Sequence, residues 1–525
     1  MPEPANALQR LQDHLNETRL LGSISSALYY DQNTVMPAAG AEWRGEQLAL
    51  LASQIHARQS SARYAELVGE AEAELEAKAK AELGPSVPTE RRRNLQLVRL
   101  ELERQRCLDP ALVASLARAQ SKGNALWQTA RRDNDFPTFA PALAELIALR
   151  REQAGQLAAA EALPRSPWEV LAQPFEPDIS KARLEELFAP LKATLPGLLE
   201  QVAAAPAQPG GLNAAAAELP EAEQESLCSE LLDSWGYDPA RCQRSRSAHP
   251  FSCTLGPQDF RITTRVVPGQ PFSSFLATAH EWGHSLYEQG LPRSTDHYFP
   301  WPLGEASSMG VHESQSLFWE CRVARGRAFA ARWQPRFVAS AGGDPWGGVD
   351  GFWRGLNPMR PGPTRVEADE LSYGLHIVLR FELELALLEG GLPVADLPGE
   401  WNRRMVELLG LRPASESEGC LQDIHWAEAQ CMGTYCSWDV QRGLGAGAVS
   451  GYRGSAHPRG HAPSVGGQPA PRRIPAGLDL VRGAALCPRR ARGASQGRRL
   501  RHGAHRRRDR SQSPQGSVPV ASAAD

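Results

Sequence analysis

The stretch SSFLATAHEWGHSLYEQGLP, residues 273–292, sets two histidines four positions apart around a glutamate: His280, Glu281 and His284. Its remaining positions favour a helix. Phe275, Leu276, Ala279, Leu286 and Tyr287 recur at helical spacing, Ser273 stands where an N-cap is expected, and Gly290 followed by Pro292 reads as a stop. Residues i and i+4 share one helix face, so both imidazoles can hold a single zinc ion, with Glu281 beside it to take a proton from the water that the ion activates. The segment therefore predicts a zinc hydrolase built on a helix, although a chain of this length meets the pattern by chance with a frequency of about a few per cent.

A catalytic zinc needs three protein ligands and one open position. HESQ at 312–315 offers the third: His312 and Glu313 lie on a stretch from about 306 to 330 with helical periodicity, so Glu313 can approach from a neighbouring helix and complete a set of two histidines and one carboxylate. Taken without the upstream motif, Glu313 would read as a solvated helix glutamate.

Working outward, 43–58, 93–120, 137–160, 180–203 and 371–389 are rich in Leu, Ala, Glu and Arg, with apolar residues such as Leu143, Leu146 and Ile147 at three- and four-residue intervals. The fold class this predicts is all-α. RITTRVV at 261–267 is rich in β-branched residues and predicts a small sheet near the active site, whereas 204–221, full of Ala, Pro and Gly, reads as a surface connection.

At 525 residues the chain has room for two or three domains, yet a large helical enzyme can also close around one cleft. The near-neutral total hides an asymmetry. Residues 1–430 carry 41 Lys and Arg against 56 Asp and Glu, while 431–525 carry 16 Arg against 4 Asp. The nine cysteines show no CxxC pair, which fits reduced thiols rather than a disulfide framework. The opening MPEPANALQRLQDHLNETRL lacks a basic segment followed by an apolar run, and no run of about eighteen apolar residues occurs, which predicts a soluble, cytoplasmic protein with no membrane partner.

Five motifs in order give the chain a family likeness: DFRIT at 259–263, HEWGH at 280–284, HESQ at 312–315, TRVEAD at 364–369 and GCLQDIHW at 419–426, with further similarity in YYDQNTVMP at 29–37 and HPF at 249–251. The chain resembles the thermostable carboxypeptidase Taq family of HExxH metallocarboxypeptidases, over about residues 1–427. That resemblance implies a mainly helical, butterfly-shaped homodimer with a deep, gluzincin-like groove in each subunit. It also implies one divalent metal per groove, zinc or cobalt, and removal of single residues from the C-termini of peptide substrates. Position by position, it makes His280, His284 and Glu313 the metal ligands and Glu281 the general base, which later passes a proton to the leaving amine. Arg365, in TRVEAD, matches the arginine that grips the substrate's terminal carboxylate. An exopeptidase needs such a cation, because a bidentate guanidinium is what tells a chain end from an internal bond. Without the resemblance, Arg365 reads equally as one half of an ion pair with Glu367, Asp369 or Glu370.

His425 is suited to donating a hydrogen bond to the substrate carbonyl or carboxylate. Asp423, Asp369 and Gln422 are candidates for orienting the ligand imidazoles. His249 and the trio Asp259, Arg261 and Thr263 line the groove in this reading, with His249 and Arg261 as substrate contacts or as supports. His376, on an apolar helix, reads as a core residue with a backbone partner. Thr364 and Trp282 depart from the family's usual pattern at positions peripheral to the chemistry.

The larger departure begins near 428. Where the family continues through a segment reading roughly Gly-Tyr-Phe-Pro-Thr-Tyr and further helices, this chain has CMGTYCSWDVQRGLGAGAVSGYRG, and from 431 onward it contains no Lys, Glu or Phe. Such a composition is that of a GC-rich gene read in a shifted frame; a natural basic disordered tail is the alternative. The family's carbonyl-polarising tyrosine would lie in the replaced segment, with Tyr435 the nearby substitute. RRLRHGAHRRRDR at 498–510 would attract phosphate backbones, but the run holds no aromatic residue for base stacking, so nucleic acid is not the expected partner. The domain reading is thus one helical unit over 1–427 followed by a non-family tail over 428–525. Two rivals to the carboxypeptidase stand: a zinc endopeptidase with no carboxylate clamp, and a metal-binding homologue impaired by the altered C-terminus.

Overall fold

Short polar side chains fix where several helices begin, by accepting amide hydrogens that the first turn leaves over. Asn6 accepts from Gln9 N at 2.8 Å, Asp109 from Ala111 N at 2.8 Å and Ser180 from Arg183 N at 3.2 Å, while Ser166 and Glu169 cap each other reciprocally. These observations come from a computed structural model that describes residues 6–81, 89–159, 164–205, 219–294 and 298–428. The tail from 429 onward, including Tyr435, and most of the 204–221 connection lie outside the described residues.

In chain order the helices are α1 (Ala7–Thr34), α2 (Ala41–Ser60), α3 (Ala62–Ala81), α4 (Thr89–Arg106), α5 (Pro110–Asp133), α6 (Phe136–Ala158), α7 (Pro167–Ala172), α8 (Lys181–Ala204) and α9 (Glu221–Ser234). Three strands follow, β1 (Cys242–Arg246), β2 (Ser252–Gly256) and β3 (Asp259–Thr264). After them come α10 (Pro271–Gly290), α11 (Met309–Leu317), a π-helical turn over Phe318–Ala324, α12 (Arg327–Ala341), α13 (Val349–Leu356), α14 (Ser372–Glu389), α15 (Leu397–Leu409) and the single turn α16 (His425–Glu428). The sheet has the order β1-β3-β2, with β1 parallel and β2 antiparallel to β3. The class is all-α with one small sheet, as the periodicity predicts.

Four boundaries differ from the sequence reading. The stretch 93–120 is two helices, because Asp109–Pro110 ends one and caps the next. The HExxH helix begins at Pro271, behind Gln270, so Ser273 lies inside its first turn rather than at its N-cap. The strand over 261–267 is shifted to 259–264. The continuous helix expected over 306–330 is divided into α11, the π-turn and α12, with Gly326 at the last break.

The largest buried cluster surrounds α14, whose Leu375, Ile377, Leu379, Leu383 and Leu387 are all buried, so that the helix is apolar on every side and packs between α6, α8 and α15. A second cluster joins α9, α10, α12 and α13 through Phe272, Phe275, Phe337 and Phe352, whose rings meet at 5.0 to 5.4 Å. The functional residues come from around both: α10 from the second, the segment 419–427 and the residues flanking α14 from the first, with α11 packed against α10.

Candidate metal centre

Successive residues on α10 point about 100° apart, and HEWGH uses each direction differently. Trp282 is fully buried against Phe260, Ile262 and Leu232 beneath the sheet, and its Nε1 donates to the Trp235 carbonyl at 3.2 Å. That anchor fixes the helix rotation; truncating a tryptophan so buried costs about 3–5 kcal/mol. Gly283 faces α11. A Cβ there would stand 2.8 Å from Ser316 Cα and 3.1 Å from the Gln315 carbonyl, so only glycine admits this approach of the two helices.

The close approach lets Glu313 reach both histidines. Its Oε2 lies 3.0 Å from His284 Nε2 and 3.4 Å from His280 Nε2, and the three residues offer ligand atoms within 4.8 Å of one another. Two imidazole nitrogens and a carboxylate oxygen converging on one point, with His284 and Glu313 buried and His280 partly so, fit a catalytic divalent metal set. α11 is held at its start: Ser308 caps Val311 N at 3.1 Å, Met309 N donates to the Phe175 carbonyl at 2.8 Å, and Glu176 accepts from Gly310 N at 3.1 Å.

Glu281 is 6% exposed, and burial, augmented by the carboxylates of Glu313 and Glu320 and opposed by His280, pushes its carboxyl up to about 7. Burial would lower His280, yet Glu313 and Glu320 outweigh it and hold the imidazole well above its ordinary value. His284 goes the other way, to about 4, through burial and its neighbour His312. Two supports beside the cluster escaped the sequence reading. Glu320, on the π-turn, lies 3.0 Å from His280 Nδ1. His312 stacks on His284 with ring centroids 4.4 Å apart, and its Nε2 is 3.1 Å from Glu288, which is itself paired with Arg293. A cavity of about 340 Å³ opens here, lined by His312, Ser285, Glu288, Cys253, Arg19 and Glu305 among others.

Arg365 is 5% exposed. Its expected partners are otherwise engaged: Glu367 approaches Arg265 at 3.7 Å, Glu370 pairs with Arg322 at 3.3 Å, and Asp369 caps α14 through Leu371 N and Ser372 N. Arg365 instead faces Asp423 at 3.3–3.4 Å, while the same carboxylate takes a shorter bond of 2.6 Å from the fully buried Arg380. Gln422 Oε1 accepts from Arg365 N at 2.8 Å and from Arg380 Nη2 at 2.7 Å. Asp423, Gln422 and Asp369 are therefore not the groups that orient the ligand imidazoles; they build the arginine cluster and a helix cap. Arg380 also lies over the Trp401 ring at 4.8 Å.

His425 and His249 meet edge to face at 5.1 Å. Burial, with Arg365 nearby, lowers His425 to about 4, and burial lowers His249 well below its ordinary value, so both imidazoles are neutral at pH 7. The loop carrying His249 is pinned by Thr263, whose Oγ1 accepts from Phe251 N at 2.9 Å. Arg261 forms a bidentate pair with Asp259 at 2.8 and 2.9 Å, and its guanidinium lies over Tyr30 at 5.1 Å. His376 is fully buried with Nε2 3.0 Å from the Gly362 carbonyl, the core role expected of it.

The two clusters feel each other. Glu281 is within electrostatic reach of Arg365, and His425 within that of Glu313 as well as Arg365. Cys107, Cys228, Cys242, Cys253 and Cys420 are free thiols, and no helix among the described residues is long and apolar enough to cross a membrane.

The comparisons point one way. The family model described as Carboxypeptidase Taq (M32) metallopeptidase matches residues 10–441. Thermostable carboxypeptidase 1 of Thermus thermophilus is 36% identical over 431 residues, 81% of this chain and 82% of the relative. Carboxypeptidase 1 of Bacillus subtilis is 31% identical over 76% of this chain and 77% of its own. Among solved structures, the M32 carboxypeptidase from Deinococcus radiodurans superposes with a TM-score of 0.71 at 31% identity, covering 86% of this chain and 87% of that one.

Proposed function

This chain belongs to the carboxypeptidase Taq (M32) metallopeptidase family, and from that premise we propose how its residues divide the work of a metal-dependent carboxypeptidase. His280, His284 and Glu313 hold the metal, which is zinc in this reading, with cobalt as a substitute. When bound, the ion supplies Lewis acidity toward the scissile carbonyl and toward water. Glu281 takes the proton from the attacking water and returns it to the leaving amine. Arg365 receives the terminal carboxylate of the peptide through two parallel N–H donors. His425, neutral and edge-on to His249, donates a hydrogen bond to the substrate oxygen as charge develops, and His249 steadies it. Arg261, paired with Asp259, supports the groove wall and lies at the substrate's reach.

One observation carries this reading: a two-histidine, one-carboxylate set and a buried arginine cluster with more positive than negative charge stand within electrostatic reach of the same glutamate, Glu281. An endopeptidase has no use for the second cluster. The enzyme is a homodimer in this reading, on the strength of the family resemblance, and the free thiols accord with a cytoplasmic setting.

The test is release of the terminal amino acid from a blocked dipeptide and from its C-terminally amidated twin, by zinc-loaded protein. The free acid alone is cleaved; Glu281→Gln lowers the rate by about 10²–10⁴-fold while still binding zinc. Arg365→Lys, which keeps the charge and loses the fork, costs about 10- to 100-fold on the acid only, or about 1.4–3 kcal/mol. Equal cleavage of acid and amide would overturn the exopeptidase assignment.

A further inference from the structure

The two ligand imidazoles are supported by different means. His284 Nδ1 is buried and finds no hydrogen-bond partner among the described residues; its ring is set by stacking on His312. His280 has a carboxylate at each nitrogen: Glu313 Oε2 is 3.4 Å from Nε2 and Glu320 Oε2 is 3.0 Å from Nδ1. Both carboxylates come from one continuous segment, α11 and the π-turn behind it.

We infer that Glu320 is a positioning residue that fixes the tautomer and the ring plane of His280, and that Arg325 locks Glu320 in that role; the inference rests on the metal-centre reading above. A carboxylate at Nδ1 keeps the proton on that nitrogen, which leaves the Nε2 lone pair aimed at the metal and makes it a stronger donor. Glu320 is in turn not at liberty to turn away. Arg325 Nη2 donates to its other oxygen at 2.8 Å, and Arg325 Nη1 donates to the Leu356 carbonyl at 2.7 Å. The carbonyl of Arg325 accepts from Trp353 Nε1 at 3.1 Å and from Asn357 Nδ2 at 3.0 Å, so α13 and its C-cap residue hold the end of the turn by two donors on one oxygen.

The π-turn explains why the chain accepts an uncommon geometry here. Seven residues of regular α-helix advance about 10.5 Å and fall about 20° short of two turns. Residues so placed would stand one above the other along the helix, whereas Glu313 and Glu320 have to reach two nitrogens of the same ring. Widening the turn from Phe318 onward re-aims Glu320, and such turns occur mainly where a side chain has a task. A purely structural Glu320–Arg325 pair would be satisfied without the second oxygen meeting His280.

The experiment measures zinc affinity by competition with a chelating dye, on the full chain stripped of metal, together with the melting temperature of the metal-free protein. Glu320→Gln is expected to weaken zinc binding by about 10- to 100-fold, with a fall in metal-free melting no larger than that of Arg325→Met, which breaks the same ion pair, and to lower kcat more than it raises KM. Glu320→Asp should recover part of the affinity. Arg325→Met, which leaves the carboxylate but frees it, is expected to weaken binding in the same direction by a smaller factor, and carries the test alone if Glu320→Gln does not fold. Unchanged zinc affinity in Glu320→Gln, beside a large loss in Glu313→Gln, would overturn the positioning role and leave the metal centre standing. Unchanged affinity in Glu313→Gln as well would overturn both.

Discussion

The metal cluster and the arginine cluster are both polar, largely withdrawn from solvent and assembled across long sequence separations, yet they are built with opposite imbalances. Around His280 and His284 stand three carboxylates, Glu281, Glu313 and Glu320, of which Glu320 is bonded to the guanidinium of Arg325. Around Asp423 two guanidiniums, Arg365 and Arg380, share one carboxylate, and the nearby imidazoles are neutral. A buried cluster that is short of positive charge is finished by a cation; one that is short of negative charge is finished by an anion. A peptide's C-terminus supplies the anion and a divalent ion the cation, so the two imbalances, set side by side, describe a substrate end and the place where its last bond is cut.

The largest effect expected from breaking this contrast is at Asp423. Burial would raise its carboxyl, but Arg380 and Arg365 outweigh burial and hold it far below the usual carboxylate range, so its stabilising contribution is fully present above the unfolded value of about 3.9. Asp423→Asn leaves two buried guanidiniums with no carboxylate between them, a loss of about 3–5 kcal/mol. Urea denaturation at pH 7 measures it. A loss below about 1 kcal/mol would show that the arginine cluster carries no real excess of charge, and the contrast would collapse.

How far each cluster could be read from sequence follows from how local it is. His280, Glu281 and His284 are legible because helical spacing alone brings them together, and Glu313 because HESQ sits on the next helix. Glu320 is not, since WECR within a helical run reads as an ordinary solvated glutamate and nothing in the residues announces a π-turn; the available signal was its seven-residue spacing from Glu313, with Arg325 five further on. Asp423 is visible as a motif residue and reads as one of three candidates for orienting the imidazoles; its bond to Arg365, across 58 positions, has no local signature. Arg380 left a clear trace: an arginine inside the apolar run HIVLRFELELALL must be paired where it is buried, as must Glu384, which accepts from Trp168 Nε1 at 3.1 Å. The divided helix at 109–110 and the early start of α10 turn on proline at the first helical position, a local rule outweighed in the reading by apolar periodicity.

On the metal side the contrast is sharpened at Gly283. The methyl of Gly283→Ala would meet Ser316 Cα at 2.8 Å and Trp319 Cβ at 3.2 Å, so α10 and α11 must part. Overpacking of this kind costs about 1–3 kcal/mol. Because the two helices carry the ligands, zinc affinity should fall along with stability, whereas Asp423→Asn should change stability and leave zinc affinity nearly as it was. Calorimetric zinc titration of both variants checks the division. Equal losses of affinity would mean that the two clusters are one cooperative unit.

The smallest effect tests the neutrality of the arginine side. His376 is fully buried, with Nε2–H donating to the Gly362 carbonyl at 3.0 Å and Arg380 Nη1 3.5 Å from Nδ1. Burial, then Arg380, lowers its imidazole to about 3. Between that value and about 6.5 the unfolded chain binds a proton that the native chain refuses, so stability rises with pH through this window and is lost as pH falls, by about 1.4 kcal/mol per unit from this group. Above about pH 6.5 the slope from His376 vanishes. His376→Gln keeps an N–H donor for the Gly362 carbonyl and removes the titration, so the pH dependence of its urea midpoint between 4 and 6 should be shallower than that of the parent chain. Identical slopes would mean that the native site accepts a proton next to Arg380, which the excess of positive charge around Asp423 forbids.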